Sequence, residues 1–536
     1  MGVLMGRYVN PGNDGFSQIV QSDYVDKTDL VHVFDSTVET MDKLVMVSRP
    51  RRFGKSFAAQ SLAAFYSCGC DSRGLFQDCA VARHEGWDRH LNAYNVIVLD
   101  MTEVIQESGV EDVVGGISRM LLPELRAITP GAGDAAANEG GVLKSAIIDV
   151  VRATGRKFVF VIDEWDAPYR LARNNKVAQD TYAEWLRGLF KSNTFTPVAV
   201  AGAYMTGILP IKKYNHQSAV SDFQEYTMVD PADYAPYVGF LQEDVELLSE
   251  RFGMDMADLR RWYDGYALRN KDASFSVYAP YSLMRACKRG RTGTYWPSTE
   301  TFELLRDYIE MDFDGLQTDL VRAIGGKSVP VDPSHFQNDM TSIESRDDVL
   351  TLLIHLGYLT YDEQSGMARV PNEEVRGELA RTVRGSRHPK LAEMMRDSVR
   401  LLDDIVSMRE QEVGEALRRV HNRDCTPLFY NNEQALRAVV KSALVAAIDS
   451  YARVEELPGG RGLADIVYLP KRGSQMPALL VELKWNKPVD AAIDQIHKRG
   501  YPAPLRDLDV PILLVGVTYD PKTDEHICHI EVDGEG

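Results

Sequence analysis

Four apolar-rich runs alternate with helix-like segments through the first 210 residues. The runs are Leu44–Val47, Tyr94–Asp100, Phe158–Ile162 and Val198–Gly207. Short apolar runs without regular polar alternation are typical of strands buried on both faces. Strands of this kind separated by helices predict an α/β fold with a mostly parallel sheet covered on both sides. Ligands are then expected beyond the carboxyl ends of the strands.

The pattern changes after about residue 300. A helix is predicted over Val349–Leu356 and is ended by Gly357; two short strands follow around the turn Gln364–Gly366. Helix and hairpin together indicate a winged-helix-like module within a helical region. From His388 to about residue 422 the chain is charged and amphipathic, which predicts a helical connector.

A second α/β arrangement is predicted at the C-terminus. Small and apolar residues at helical spacing cover Asn432–Ser450, and the strand-like segments Gly462–Leu469 and Ala478–Lys484 follow. We therefore divide the chain into a P-loop domain (residues 1–290), a helical or winged-helix-like region (291–385), a connector (386–425) and a C-terminal domain (426–536).

Composition restricts the class of protein. The 536 residues are 44% hydrophobic and 26% charged, and the net charge is −18. These values are typical of a soluble globular protein, and the acidic balance argues against a broad nucleic-acid surface. Any contact with nucleic acid would need a local basic patch. Candidates for that patch are Arg461, Lys471, Arg472, Lys487, Lys498 and Arg499.

Targeting signals and cysteine spacing bear on the location of the protein and suggest no metal site. No run reaches the roughly 18 apolar residues of a membrane span, and the N-terminus lacks the features of a signal peptide. The six cysteines show no paired metal-ligand spacing, so we interpret them as structural thiols in a reducing compartment. We predict a cytoplasmic protein with no membrane partner.

The tripeptide Gly54-Lys55-Ser56 follows the first run and leads into the helix-like segment Phe57–Phe65. Alone it would also fit an ordinary helix start. Between a strand and a helix it favours phosphate binding, because backbone N–H groups at the helix start attract an anion. Arg49 replaces the first glycine of the usual G-x-x-x-x-G-K-[ST] pattern. The loop residues that we assign to nucleotide binding are Arg51, Arg52, Phe53, Gly54, Lys55 and Ser56.

Two carboxylates support this interpretation. Asp163 and Glu164 come directly after the third apolar run. In a P-loop NTPase the first acid holds Mg²⁺, together with the Ser56 hydroxyl, and the second activates the attacking water. A strand that merely stops at a polar turn would not need both acids. We therefore predict ATP and Mg²⁺ as cofactors and Glu164 as a catalytic residue.

Five segments carry a family resemblance: Ser48–Ser56, Asp163-Glu164, Thr206–Pro210, Trp262–Tyr266 and Val277–Ser282. Together they resemble the bacterial AAA-ATPase-like family, collinearly from about residue 24 to the C-terminus. In that family the ATPase domain is joined to a C-terminal PD-(D/E)XK nuclease-fold domain, and arginine is usual at position 49. The resemblance implies that Thr206 contacts the γ-phosphate.

The C-terminal residues fit the nuclease pattern. Asp465 lies near the start of one strand, and Glu482 and Lys484 are two apart on the next, hence on one face. Carboxylates are the ligands that Mg²⁺ prefers, and the lysine would position or activate a nucleophile. The order of elements predicts a restriction-endonuclease-like fold.

Three more residues are assigned to this site. Glu433, in the first turn of the preceding helix, is a candidate outer metal ligand. Gln495, on the following helix, would orient Lys484 or the substrate, and Tyr501 lies just beyond that helix.

The sequence thus predicts an ATP-binding and ATP-hydrolysing protein that regulates a Mg²⁺-dependent DNA nuclease domain. The role implied by the resemblance is defence or control of mobile elements. One alternative is a nucleotide-dependent switch or scaffold whose nuclease fold binds nucleic acid or a protein without cutting. Another is an ATPase with a vestigial C-terminal domain. DNA is the expected partner of the C-terminal domain, and a homo-oligomer is compatible with the sequence.

Overall fold

The computed structural model divides the chain into two compact units. One, the N-terminal unit, comprises Met1–Tyr295 and Val331–Gly366; the other, the C-terminal unit, comprises Trp296–Pro330 and Met367–Gly536. The residues that the structure describes are 5–136, 141–172, 175–211, 222–296, 313–336, 343, 345–385, 389–424, 432–459, 462–471, 474, 476–508 and 510–534.

The α-helices among these residues are α1 (Asp14–Val20), α2 (Asp29–Asp35), α3 (Lys55–Tyr66), α4 (Arg73–Phe76), α5 (Met101–Ser108), α6 (Val113–Ile128), α7 (Val142–Thr154), α8 (Ala167–Leu171), α9 (Lys176–Phe190), α10 (Thr196–Ala199), α11 (Gln242–Phe252), α12 (Met256–Tyr263), α13 (Pro280–Arg289), α14 (Leu316–Ile324), α15 (Arg346–Leu356), α16 (Glu373–Gly385), α17 (Pro389–Val406), α18 (Glu410–Asp424), α19 (Glu433–Ala443) and α20 (Asp490–Arg499).

The strands are β1 (Leu44–Ser48), β2 (Asn95–Asp100), β3 (Phe158–Asp163), β4 (Val200–Gly207), β5 (Gln224–Tyr226), β6 (Tyr266–Arg269), β7 (Ser274–Val277), β8 (Val329–Pro330), β9 (Thr360–Asp362), β10 (Met367–Arg369), β11 (Tyr451–Gly459), β12 (Gly462–Pro470), β13 (Ala478–Trp485), β14 (Ile512–Asp520) and β15 (Glu525–Val532).

A five-stranded parallel sheet forms the core of the N-terminal unit, in the order β2-β3-β4-β1-β5. Every residue of β1, β3 and β4 is buried, which explains why these runs lack polar alternation. One face of the sheet packs on α5, α6, α7 and α9. All five strands point the same way, so the residues after β1 and β3 emerge at one edge. The predicted parallel α/β fold is confirmed.

The C-terminal unit contains a mixed sheet in the order β11-β12-β13-β14-β15. Only the β13–β14 pairing is parallel among these neighbours. Alternate residues of β13 enter two cores. Leu479, Val481 and Leu483 pack with α19, whereas Ala478 and Leu480 pack with α20. By the same alternation, Glu482 and Lys484 lie on the α20 face.

The middle of the chain contains the helix and strands that the pattern predicted. Helix α15 ends at Gly357, whose φ of +85° suits glycine, and β9 and β10 follow. Strand β10 also pairs antiparallel with β8, a partner that the local pattern did not predict. The chain passes between the two compact units after Tyr295, Pro330 and Gly366, and the last of these points lies between β9 and β10. The predicted boundaries at 290, 385 and 425 remain predictions, and the last two adjoin residues outside the described part.

Candidate functional site

The phosphate loop connects β1 to α3 and ends in two residues with left-handed backbone conformation. Gly54 caps α3 with a φ of +95°, and Arg52 has a φ of +70°. A side chain at Gly54 would meet open space, so the backbone conformation, and not crowding, favours glycine there. Helix α3 begins at Lys55, directly after Gly54.

Lys55 is buried inside this loop. Its Nζ donates to the backbone oxygens of Arg49 (3.1 Å) and Pro50 (3.0 Å) and lies 3.8 Å from Glu164 Oε1. Burial lowers the pKa of the Lys55 ammonium, and the nearby charges of Glu164 and Asp163 oppose that shift. The loop thus holds a cation beside the carboxylates that follow β3.

Asp163 ends β3 and is also buried. Burial raises its pKa to about 6, whereas a hydrogen bond from Ser56 and the charge of Lys55 act in the opposite direction. Asp163 is therefore mostly ionised at neutral pH. The next residue, Glu164, has a φ of +51°, and its carboxylate pairs with Arg170. Strand order in the parallel sheet brings Lys55, Ser56, Asp163 and Glu164 together at the carboxyl ends of the strands.

The C-terminal site forms where β12 and β13 separate. Their ladder runs only as far as the Ile466–Val481 pair. Beyond it, Asp465 Oδ2 accepts a hydrogen bond of 2.8 Å from the Leu483 amide. The Asp465 side chain thus bonds to β13 at the point where the backbone ladder has ended. This contact holds Asp465 beside Glu482, the residue of β13 that follows Val481.

Glu482 lies at the centre of this group and is 1% exposed. Its Oε1 accepts a bond of 2.9 Å from Lys484 Nζ and another from Gln495. Among the described residues its Oε2 has no hydrogen-bond partner. Burial and the charge of Asp465 raise the pKa of Glu482 to about 7, and the bond from Lys484 opposes that rise. Gln495 also donates to Tyr501 Oη at 3.3 Å.

The C-terminal site contains two carboxylates that could hold a divalent cation, those of Asp465 and Glu482. Across the described ranges, no three His, Cys, Asp or Glu side chains are grouped to hold a metal ion. Mg²⁺ commonly takes only one or two carboxylates, and substrate oxygens and water complete its coordination. Asp465 and Glu482, with the unpaired Glu482 oxygen, fit that smaller requirement.

A family model described as predicted AAA-ATPase, AAA-ATPase_like, matches residues 12–215. These residues are AAA-ATPase-like. The matched stretch includes β1 to β4 and the whole phosphate site described above. The comparison leaves the C-terminal unit unassigned.

Individual relatives are distant. The "Uncharacterized protein in vnfD 5'region" of Azotobacter chroococcum mcd 1 is 23% identical over 527 residues, which are 95% of each chain. Two structures of the Aeropyrum pernix ORC2 protein, as ADPNP-ADP complexes and in the ADP form, are 10% identical. They cover 68% and 70% of this chain and 97% and 98% of their own, with TM-scores of 0.31 and 0.27.

Arg49 has a structural role in the AAA-ATPase-like segment. Its guanidinium is fully buried and donates to the backbone oxygens of Ser48 (2.8 Å), Tyr226 (3.2 Å), Thr227 (3.1 Å) and Tyr234 (3.1 Å). Burial lowers its pKa to about 10, so it stays charged at neutral pH. The arginine thus ties the phosphate loop to β5 and the residues after it.

The other assigned loop residues differ in environment. Arg51 is half-buried, and Arg52 is exposed with its guanidinium 4.0 Å from the centre of the Tyr281 ring. Phe53 is buried against Tyr266, with ring centres 4.9 Å apart. One residue from each of the segments Trp262–Tyr266 and Val277–Ser282 therefore contacts the loop. Thr206 is fully buried on β4, and its hydroxyl has no partner within the described part of the chain.

The C-terminal assignments also differ in their contacts. Glu433 is half-buried at the start of α19. One turn later on the same helix, Arg437 pairs with Asp465 Oδ1 and lies 3.4 Å from Glu456. Sequence reasoning missed Arg437, although its position four residues after Glu433 places both on one helix face. Of the six predicted patch residues, Arg461 and Arg472 lie outside the described residues.

None of the described helices is long and apolar enough to cross a membrane.

Proposed function

We propose that this protein binds and hydrolyses ATP at the phosphate loop. The observation that supports this most strongly is the meeting of Lys55, Ser56, Asp163 and Glu164 at the carboxyl edge of a parallel sheet. The N–H groups at the start of α3 and the Lys55 ammonium would hold the phosphates. Asp163 and the Ser56 hydroxyl would hold Mg²⁺, which when bound neutralises charge on the phosphate oxygens.

Glu164 is the proposed catalytic base of this reaction. Its carboxylate is near the phosphate-binding lysine, as Glu164 Oε1 to Lys55 Nζ is 3.8 Å. Glu164 would accept a proton from the attacking water and would orient that water towards the γ-phosphate. Thr206, with its unpaired hydroxyl on β4, is the proposed contact to that phosphate.

Replacing Glu164 with glutamine should keep ATP binding but lower hydrolysis by about 100-fold or more, because the amide cannot accept the proton. Binding is measured with a fluorescent ATP analogue and hydrolysis by phosphate release. Glu184→Gln, at an exposed site on α9, is the matched control. Normal hydrolysis by Glu164→Gln would contradict the assignment, and failure of the wild-type protein to bind ATP would contradict the function.

A second candidate function is Mg²⁺-dependent cleavage of DNA by the C-terminal unit. It is supported by the convergence of Asp465, Glu482, Lys484 and Gln495 where β12 and β13 separate. Asp465 and Glu482 would hold the metal ion, which when bound stabilises charge on a phosphodiester and lowers the pKa of water. Lys484, held by Glu482 and the Leu483 carbonyl at 2.8 Å, would position the nucleophile. We propose that ATP bound at Lys55 regulates this activity.

Two ion pairs favour a protein that binds without cutting. Arg437 pairs with Asp465, and Lys484 pairs with Glu482, so each carboxylate already has a counter-ion within the chain. A nuclease would have to exchange the Arg437 contact for a metal ion. The switch or scaffold alternative needs no such exchange.

Incubation of the full chain with supercoiled, linear and single-stranded DNA separates these two functions. We expect cleavage with Mg²⁺ or Mn²⁺ that changes on addition of ATP and falls by at least about 100-fold in Lys484→Ala. Lys522→Ala, exposed between β14 and β15, is the matched control. Absence of cleavage by the wild-type protein in all conditions, with ATP binding intact, would favour the switch.

A further inference from the structure

Arg170 connects two acidic residues at the phosphate site. It lies on the short helix α8 and is 11% exposed. Its guanidinium contacts Glu164 Oε2, and its Nε donates to Asp166 Oδ2 at 3.0 Å. The positive charge of Arg170 is thus paired with two carboxylates of its own chain.

Asp166 links this pair to the end of β4. It is 1% exposed. The oxygen that Arg170 contacts also accepts the amides of Ile208 (3.3 Å) and Leu209 (3.1 Å). A continuous set of polar contacts therefore runs from the segment after β4, through Asp166 and Arg170, to Glu164.

Trp165 strengthens the same connection. Its amide donates to the Thr206 carbonyl at 3.0 Å, and its indole N–H donates to the Leu209 carbonyl at 3.3 Å. A Cβ at Gly207 would lie 2.6 Å from the Trp165 ring and 2.7 Å from Asp166 Oδ1. The close approach of the two segments therefore requires glycine at 207, which gives a physical reason for that residue in the Thr206–Pro210 motif.

We propose that Arg170 is a positioning residue that links the Thr206–Leu209 segment to the Glu164 carboxylate. Contact of this segment with the γ-phosphate would be transmitted through Asp166 and Arg170 to the orientation of Glu164. The inference rests on the ATPase function proposed above and specifies how the catalytic carboxylate is held. Arg170 acts in this role within its own chain.

The test compares Arg170→Ala and Arg170→Lys with wild type in steady-state ATP hydrolysis and equilibrium ATP binding. We expect Arg170→Ala to lower kcat by about tenfold or more, with KM and the ATP Kd within about twofold, because position and not binding is lost. Arg170→Lys keeps the charge and should recover part of kcat. Arg187→Ala, in a surface pair with Glu184 on α9, should match wild type.

A double variant separates positioning from a general structural role. In a Glu164→Gln background, measured by single-turnover hydrolysis, Arg170→Ala should cause no further loss if it acts through that carboxylate. Three results would each overturn the inference. The losses of the two single variants could multiply in the double variant, kcat could be unchanged in Arg170→Ala, or the loss in Arg170→Ala could be confined to ATP binding. If Arg170→Ala does not fold, the Arg170→Lys variant carries the test. Either a wild-type kcat in Arg170→Lys, or a loss of kcat in Arg170→Lys that multiplies with the loss in Glu164→Gln, would overturn the inference. Wild-type protein that neither binds nor hydrolyses ATP would refute the underlying function instead.

Discussion

Replacing Lys55 with alanine is expected to abolish measurable ATP hydrolysis and to weaken ATP binding by about 100-fold. Lys55 supplies the buried positive charge of the phosphate loop, and hydrogen bonds to charged groups contribute about 1.5–3 kcal/mol each. Two such contacts to phosphate oxygens, lost together, account for a change of that size. Lys55→Ala should weaken ATP binding more than Glu164→Gln does, because the role proposed for Glu164 is in the reaction and not in phosphate affinity.

Binding is measured by titration with a fluorescent ATP analogue, and folding by thermal unfolding of the same preparation. The second measurement matters because Lys55 Nζ also donates to the carbonyls of Arg49 and Pro50. Lys271→Ala, exposed between β6 and β7, removes a lysine without touching the loop. If folded Lys55→Ala protein binds and hydrolyses ATP like the Lys271→Ala control, the phosphate loop is not the nucleotide site.

The parts of this structure that the sequence predicted are those that depend on neighbours along the chain. Buried parallel strands require unbroken apolar runs, so β1 and β3 could be recognised without knowing their partners. Asp163 could be proposed as a site residue because it directly follows an apolar run, and Lys55 because the Gly54-Lys55-Ser56 tripeptide lies between such a run and a helix-like segment. Glu482 and Lys484 were placed on one face by the two-residue period of β13.

Contacts between distant residues could not be predicted in this way. Arg437 was missed because its partner, Asp465, is 28 residues away and lies on a strand. The role of Asp166 depends on amides more than 40 residues later. The local pattern around either residue is that of an ordinary helix or turn, so only the folded chain shows what each contacts.

Arg49 shows most clearly that such contacts cannot be predicted from the local pattern. By that pattern, Arg49 only stands where the first glycine of the usual P-loop is expected. Three of its four carbonyl partners lie 177 to 185 residues later in the chain. The arginine cannot be understood from the phosphate-loop pattern alone. Its contacts indicate that the loop is held by a buried cation where other P-loops use a flexible residue.

Arg49→Gly, which would restore the general P-loop pattern, should therefore destabilise the protein. The change removes the Arg49 donor from the backbone oxygens of Tyr226, Thr227 and Tyr234, at a cost of about 3–5 kcal/mol. Of these three oxygens, that of Tyr234 keeps the Tyr237 amide at 3.4 Å. Glycine also adds backbone entropy to the unfolded chain. Calorimetry of the full chain should show the unfolding transition of the N-terminal unit lowered by roughly 10 °C.

The matched control is Arg52→Gly, the same substitution three residues later. Arg52 is exposed and has a φ of +70°, so glycine relieves backbone strain there while the stacking on Tyr281 is lost. These two effects are each about 1 kcal/mol and opposite in sign, and the transition should move little. If Arg49→Gly instead unfolds at the same temperature as Arg52→Gly, the buried carbonyl contacts do not stabilise the loop. A large difference would show that the cation at position 49 has a structural role in holding the loop.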